Sequence, residues 1–195
     1  NYNTGAPELP LIHATGLKMG RDFYHLPTRS LCGMTEAKTA DCQAGYETMQ
    51  SLMASMLAGA NILVECLGVI DSIMTTSYEK IIIDQEMISR VMAMLTGIDT
   101  SDQSLTKALE VIKDVGPGGN YLTHLDTLEN FRNNWLPTVS DWETYDNWKE
   151  KGSHDVVKQA QAIYREILAQ APKMLIPSEL DQVLKRYMEG ASSAN

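Results

Sequence analysis

The stretch CGMTEAKTADCQAGYET, residues 32 to 48, crowds Thr35, Glu36, Lys38, Asp41, Gln43 and Glu47 among glycine, alanine and other small residues. A purely structural connection needs only turn chemistry. Short polar side chains beside small ones do more: they leave a path to the backbone and supply hydrogen-bonding groups for a ligand. Two further segments have the same character, 65 to 79 with Glu65 and Glu79, and 116 to 127 with Gly118, Gly119, His124 and Asp126.

The elements around these segments predict why they belong together. A helix-like spacing of Leu9, Leu11, Ile12, Leu17 and Met19 ends at Pro27. TRSLCG reads as a short buried strand. Met49, Leu52, Met53, Met56 and Leu57 mark the apolar face of a helix closed by Gly59. ANILVECLG (60 to 68) reads as a parallel strand covered on both faces. Helices follow through Glu86 to Leu95 and across TSDQSLTKALEVIKDV, and VGPGGNYL reads as the entry to a third strand. From 139 onward the pattern is helical only. Alternating strands and helices predict an α/β protein with parallel pairing. In such folds the ligand site lies where strands end and helices begin, which selects the three polar segments at once. Two or three strands are far fewer than the roughly eight that close a barrel.

Composition narrows the function. The chain has 195 residues, 44% hydrophobic and 21% charged, as expected of a soluble globular protein. A net charge of -9 with no basic stripe argues against nucleic-acid binding. The most apolar stretch, 51 to 70, is broken by Ser51, Ser55, Asn61 and Glu65, which argues against a membrane span. The three cysteines are odd in number and lack metal-ligand spacing, so a reducing cytoplasm is the expected home. Cys66 reads as a core residue, whereas Cys32 and Cys42 flank the polar junction. His13, His25 and His154 have no partner set that would hold a metal. The first residue is Asn1, and the chain reads as a piece of a longer polypeptide.

The motifs GAPE, CGMTEAKTADCQAGYET, GAN, SYEKIIID, VGPGGNYL, DTLENFR and YDNWKEKG come in an order and spacing that resembles the C-terminal part of the trimethylamine methyltransferase family. The resemblance spans nearly the whole chain. It implies the C-terminal part of a TIM-type (β/α)8 barrel over residues 1 to 138, then a helical extension over 139 to 195 packed on the barrel. It implies transfer of a methyl group from trimethylamine to the Co(I) corrinoid of a cognate corrinoid protein, in methanogenesis from methylamines. The corrinoid rides on that partner rather than on this chain. Further expected partners are the N-terminal half of the barrel and other copies in a homo-oligomer.

Family members that use trimethylamine carry pyrrolysine, and Met34 is the expected position for such an amber-encoded residue. A methionine there cannot form the electrophile that the pyrrolysine imine is thought to provide. Relatives without pyrrolysine demethylate quaternary amines such as glycine betaine, which is the alternative reading, and a non-catalytic scaffold fragment is a third.

Displacement of an amine from its methyl group calls for in-line positioning and for stabilisation of the amine's charge. Met34, Glu65 and Glu79 are the expected catalytic positions. Thr35, Asp41, Gln43, Tyr46 and Tyr121 are the expected substrate-binding residues, the tyrosines through cation–π contact. Gly118, Gly119, His124 and Asp126 are expected to face the corrinoid protein. Blander roles stand beside these. Glu47 equally reads as a first-turn helix carboxylate, Tyr46 and Tyr78 as packing residues, and Lys38 and Lys80 as solvated charges. His124 and Asp126 read as surface neighbours, and Trp135, Trp142, Tyr145 and Trp148 as packing between helices.

Overall fold

The computed structural model describes residues 3 to 170 and 176 to 192, and the fold it gives is mostly helical with few strands. Helix α1 (Glu8–Lys18) runs into a five-residue π turn, Met19–Phe23, before strand β1 (Arg29–Leu31). Helix α2 (Cys42–Leu57) leads to β2 (Ile62–Val64), which pairs parallel with β1 in the register Arg29 to Ile62. A small antiparallel hairpin follows, β3 (Val69–Ile70) and β4 (Thr75–Thr76). Helices α3 (Tyr78–Thr96), α4 (Asp102–Val115), α5 (Leu125–Asn130), α6 (Tyr145–Glu150), α7 (Val156–Gln170) and α8 (Ser178–Ser192) complete the order.

Local chemistry accounts for the boundaries. Asp41, Ser77 and Ser101 cap α2, α3 and α4, each side chain accepting a hydrogen bond from a backbone N–H in the first turn. Gly97 and Gly116 end α3 and α4 with positive φ. Between α3 and α7 lies an apolar cluster of Ile82, Val139 and Ala160, with Ile83, Val156, Ile163 and Tyr164 packed on it.

Three expectations need correction. VGPGGNYL is no strand: Gly116 and Gly118 take positive φ, Gly119 N–H donates to Gly116 O, and the Asn120 side chain caps a 3-10 turn at Tyr121–Thr123. Strand β2 is shorter than 60 to 68 and not covered on both faces, with Ile62 60% exposed. The buried face of α2 is not its methionine stripe but Ala44, Glu47, Thr48, Ser51, Leu52 and Ser55. The reason is polar. That face docks on the backbone leaving β1, where Gly33 N–H donates to Ser51 Oγ, Thr48 Oγ1 donates to Gly33 O, and Ser30 and Ser55 hydroxyls lie 2.9 Å apart.

Candidate functional site

The loop that leaves β1 is buried, with Cys32, Gly33, Met34, Thr35 and Ala37 all in the interior. Met34 therefore sits three residues beyond the strand rather than at its end. At Cys32, burial pushes the thiol up to about 12, which leaves it an inert core residue, whereas Cys42 is exposed.

Glu47 organises the loop. One carboxylate oxygen accepts from Thr35 Oγ1 and, at 2.8 Å, from Glu36 N–H, and the other accepts from Gln43 Nε2 at 3.0 Å. Thr35 Oγ1 also accepts from Ala37 N–H. Glu47 lies in the second turn of α2, so it is a buried anchor and not a first-turn carboxylate. The GAPE motif closes over it. A Cβ on Gly5 would run into the Glu47 carboxylate, so any larger residue there must displace that side chain. Thr4 binds the neighbouring Glu36 through both its N–H and its hydroxyl, and these bonds hold the Glu36 carboxyl below its ordinary range. Two motifs distant in sequence thus meet at a pair of glutamates.

The exit from β2 lies against the first loop. Cys32 N–H donates to Val64 O, and a Cβ on Gly33 would lie 2.7 Å from Cys66 O. The hairpin that follows covers the loop, with Asp71 N–H donating to Ala37 O and Ser72 N–H to Thr35 O. Lys38 adds an exposed ion pair to Asp71 at 3.0 Å. Glu65 is exposed and takes φ 57, just past the end of β2. It is not the carboxylate inside a buried strand that the apolar run suggested, because the backbone turns into the left-handed region at that residue.

The structure brings Met34, Thr35, Asp41, Gln43 and the Glu65 backbone into this double loop. Asp41 is bound as the α2 cap, where the Ala44 N–H holds its carboxyl below the usual range. It also borders a cavity of about 430 Å³ between the start of α2, α3 and the start of α7, with Lys80, Asp84, Met87 and Val156 among its walls.

Other expected residues lie elsewhere. Glu79 in the first turn of α3 accepts from Ser77 Oγ and from Gln161 Nε2 of α7, and so joins two helices. Tyr46 is exposed, and Tyr78 stacks on Tyr164 with ring centroids 5.5 Å apart, the packing role expected of it. Tyr121, Gly118 and Gly119 are exposed in the turn after α4. The His124 imidazole caps α5, its Nδ1 accepting from Asp126 N–H. The Asp126 carboxylate pairs with Lys107 at 2.6 Å instead of orienting the imidazole. The hydrogen bonds described for this segment stay within it and helices α4 and α5. Among the described residues no three His, Cys, Asp or Glu side chains converge as metal ligands. No helix among them is long and apolar enough to cross a membrane.

Three further buried charges, Lys80, Asp84 and Glu86, lie on α3. Lys80 is no solvated charge: at 1% exposure its Nζ binds Asp84 Oδ2 at 2.6 Å. Glu86 gathers the segment after α5, accepting from the N–H groups of Thr138, Val139 and Ser140, the Thr138 and Ser140 hydroxyls, and Arg90. Arg90 in turn lies 4.4 Å from the Trp135 ring centroid, and Trp135 Nε1 donates to Ser89 Oγ. This fastens Trp135 to α3, with Trp142 packed on it at 5.6 Å between ring centroids, whereas Trp148 packs on Tyr145 and its Nε1 donates to His154 O. The pairing was visible in the sequence, since Lys80 and Asp84, and Glu86 and Arg90, are i,i+4 pairs on one helix, but the burial was not.

The family model described as trimethylamine methyltransferase (MTTB) matches residues 2–193. The chain belongs to the trimethylamine methyltransferase family. It is 36% identical over 190 residues to the glycine betaine methyltransferase of Desulfitobacterium hafniense (strain Y51), covering 96% of this chain and 39% of that relative. Trimethylamine methyltransferase MttB of Methanosarcina barkeri is 31% identical over 192 residues, 97% of this chain and 38% of its own length. L-carnitine:corrinoid methyltransferase of Eubacterium limosum is 38% identical over 132 residues, 68% of this chain and 27% of its own. The chain thus spans about two fifths of the first two family members. The matches bear out the family and a partial length; they do not carry the C-terminal placement expected from the motifs.

Proposed function

We propose that the polypeptide carrying this chain moves a methyl group from a methylated amine to the Co(I) corrinoid of a partner protein. One observation carries this reading: a family match over 2–193 coincides with a double loop in which the polar junction 33 to 43 and the exit from β2 are locked together at strand ends. That is where a parallel β/α fold presents its chemistry.

In this reading residues 1 to 138 form part of a TIM-type barrel, and 139 to 195 a helical extension on it, in a cytoplasmic enzyme. The two electrons of Co(I) form the new cobalt–carbon bond as the carbon–nitrogen bond breaks, and its electron pair stays on the departing amine. Trimethylammonium then leaves as dimethylamine, and a betaine as its dimethyl product. Glu65, exposed beside the loop, supplies negative charge for the cationic donor, and Thr35 and Gln43 act through Glu47 to keep the loop in place. Met34 occupies the position at which a pyrrolysine would stand. Trimethylamine is the first substrate. A second reading, a quaternary amine such as glycine betaine, is favoured by the ordinary methionine at 34 and by the 36% identity to a glycine betaine methyltransferase.

The test is substrate turnover by the complete enzyme with reduced corrinoid protein, offered trimethylamine and glycine betaine separately. Demethylation of one donor, with at least a tenfold loss in Glu65→Gln at unchanged melting temperature, is expected. Equal turnover by Glu65→Gln removes Glu65 from the site.

A further inference from the structure

We propose that Lys80 and Asp84 are positioning residues that hold the exit loops of β1 and β2 against each other for the methyl transfer. The proposal rests on the reading of those loops as the reaction rim. Lys80 Nζ donates to Gly33 O at 3.1 Å, and Asp84 Oδ2 accepts from Gly68 N–H at 2.7 Å, while the two side chains bind each other. A single ion pair on α3 therefore grips the loop after β1 by a carbonyl and the loop after β2 by an amide. Gly33 and Gly68 both take positive φ, +76 and +75, so each loop bends sharply at the residue that is held. Met34 and Thr35 follow directly on one side, Glu65 and Cys66 lie just before on the other.

Stability alone does not explain such a pair. Two charges with exposures of 1% and 0% lose their hydration on folding, and replacement of a buried ion pair by uncharged groups is often neutral or stabilising. Burial pushes Lys80 down and Asp84 up from their ordinary values, the mark of that opposing cost. What the pair adds is geometry, because its hydrogen bonds set where two loops sit relative to one helix. The Gly33 carbonyl already accepts from Thr48 Oγ1, so the Lys80 bond is not needed to satisfy it.

The decisive variant is Lys80→Met/Asp84→Asn in the complete enzyme. It removes both charges, keeps an acceptor for Gly68 N–H and leaves Thr48 on Gly33 O. The melting temperature is expected to stay within a few degrees. Turnover is expected to fall at least tenfold in kcat, with KM for the methyl donor changed less than threefold. Amide exchange at Cys32 and Gly33 is expected to quicken at least tenfold, although their own acceptors, Val64 O and Ser51 Oγ, are untouched. Lys80→Gln/Asp84→Asn, which also removes both charges but keeps a neutral donor on the Gly33 side and an acceptor for Gly68 N–H, is expected to show smaller losses in the same directions and serves if the first double variant does not fold. Unchanged exchange at Cys32 and Gly33, or faster exchange with unchanged kcat, overturns the proposal. A wild-type enzyme that transfers no methyl group overturns the functional reading instead, and the exchange result then still decides whether the pair positions the loops.

Discussion

Glu86 shows how much one side chain organises. Burial raises its carboxyl, but hydrogen bonds from Ser140 Oγ, Val139 N–H and Ser140 N–H, with Arg90, outweigh that and bring it down to about 2. The unfolded chain has the ordinary value of 4.5, so the ionised form stabilises the fold fully above pH 4.5 and progressively less as pH falls towards 2. The difference corresponds to about 3 kcal/mol. Glu86→Gln is expected to lower unfolding free energy by about 2 to 3 kcal/mol at neutral pH, where five or more donors lose an anionic acceptor. Denaturant titrations at pH 7 and pH 2.5 check this: the gap between wild type and variant should shrink at the lower pH, and a constant gap would show that the charge on Glu86 does not matter. The spacing to Arg90 was legible beforehand, but the burial and the backbone donors were not. An acidic residue on an amphipathic helix reads as solvated, and only the chain's return at 138 to 140 reveals its donors.

At the scale of elements, the helices and the first two strands were legible because caps and periodicity are local signals. The α4 cap at Ser101 and the glycine stops at 97 and 116 stand where the sequence implies them, whereas Asp41, expected among the substrate-binding residues, is the α2 cap. The buried face of α2 was not legible, since its threonine and serines are buried for hydrogen bonding to the β1 exit and not for their hydrophobicity. The hairpin β3–β4 was also missed, because two-residue strands carry no pattern. Two glycines test how closely the loop after β1 presses on the exit from β2. At Gly33, φ is +76 and a Cβ would press on Cys66 backbone, whereas at Gly45 inside α2 a Cβ would meet only Met87 Cε at 3.8 Å. Gly33→Ala is expected to cost about 2 kcal/mol or more through left-handed strain and displaced backbone. Gly45→Ala is expected to stabilise by roughly 0.4–1 kcal/mol, the usual gain of helix-compatible alanine over glycine. Thermal unfolding of both variants decides it, and equal melting temperatures would mean that the loop does not press on the β2 exit.

For the whole molecule, the seven ordered motifs made the family legible from sequence, while the contacts between motifs were not. GAPE and the Thr4 before it meet CGMTEAKTADCQAGYET at Glu36 and Glu47, and SYEKIIID meets both strand exits through Lys80 and Asp84. DTLENFR instead meets α4 through the Lys107 to Asp126 pair, and VGPGGNYL makes local turn hydrogen bonds. The expected docking face for the corrinoid protein therefore remains a proposal about an exposed turn, whereas the double loop is a built structure. The measurement that tests the account most directly is a single-turnover spectrum of the complete enzyme mixed with corrinoid protein reduced to Co(I) and an excess of trimethylamine or glycine betaine. Loss of the Co(I) band and appearance of methyl-Co(III), one methyl group per cobalt, is expected with one of the two donors. A Co(I) spectrum unchanged with both donors, from an enzyme shown to be folded, would contradict it.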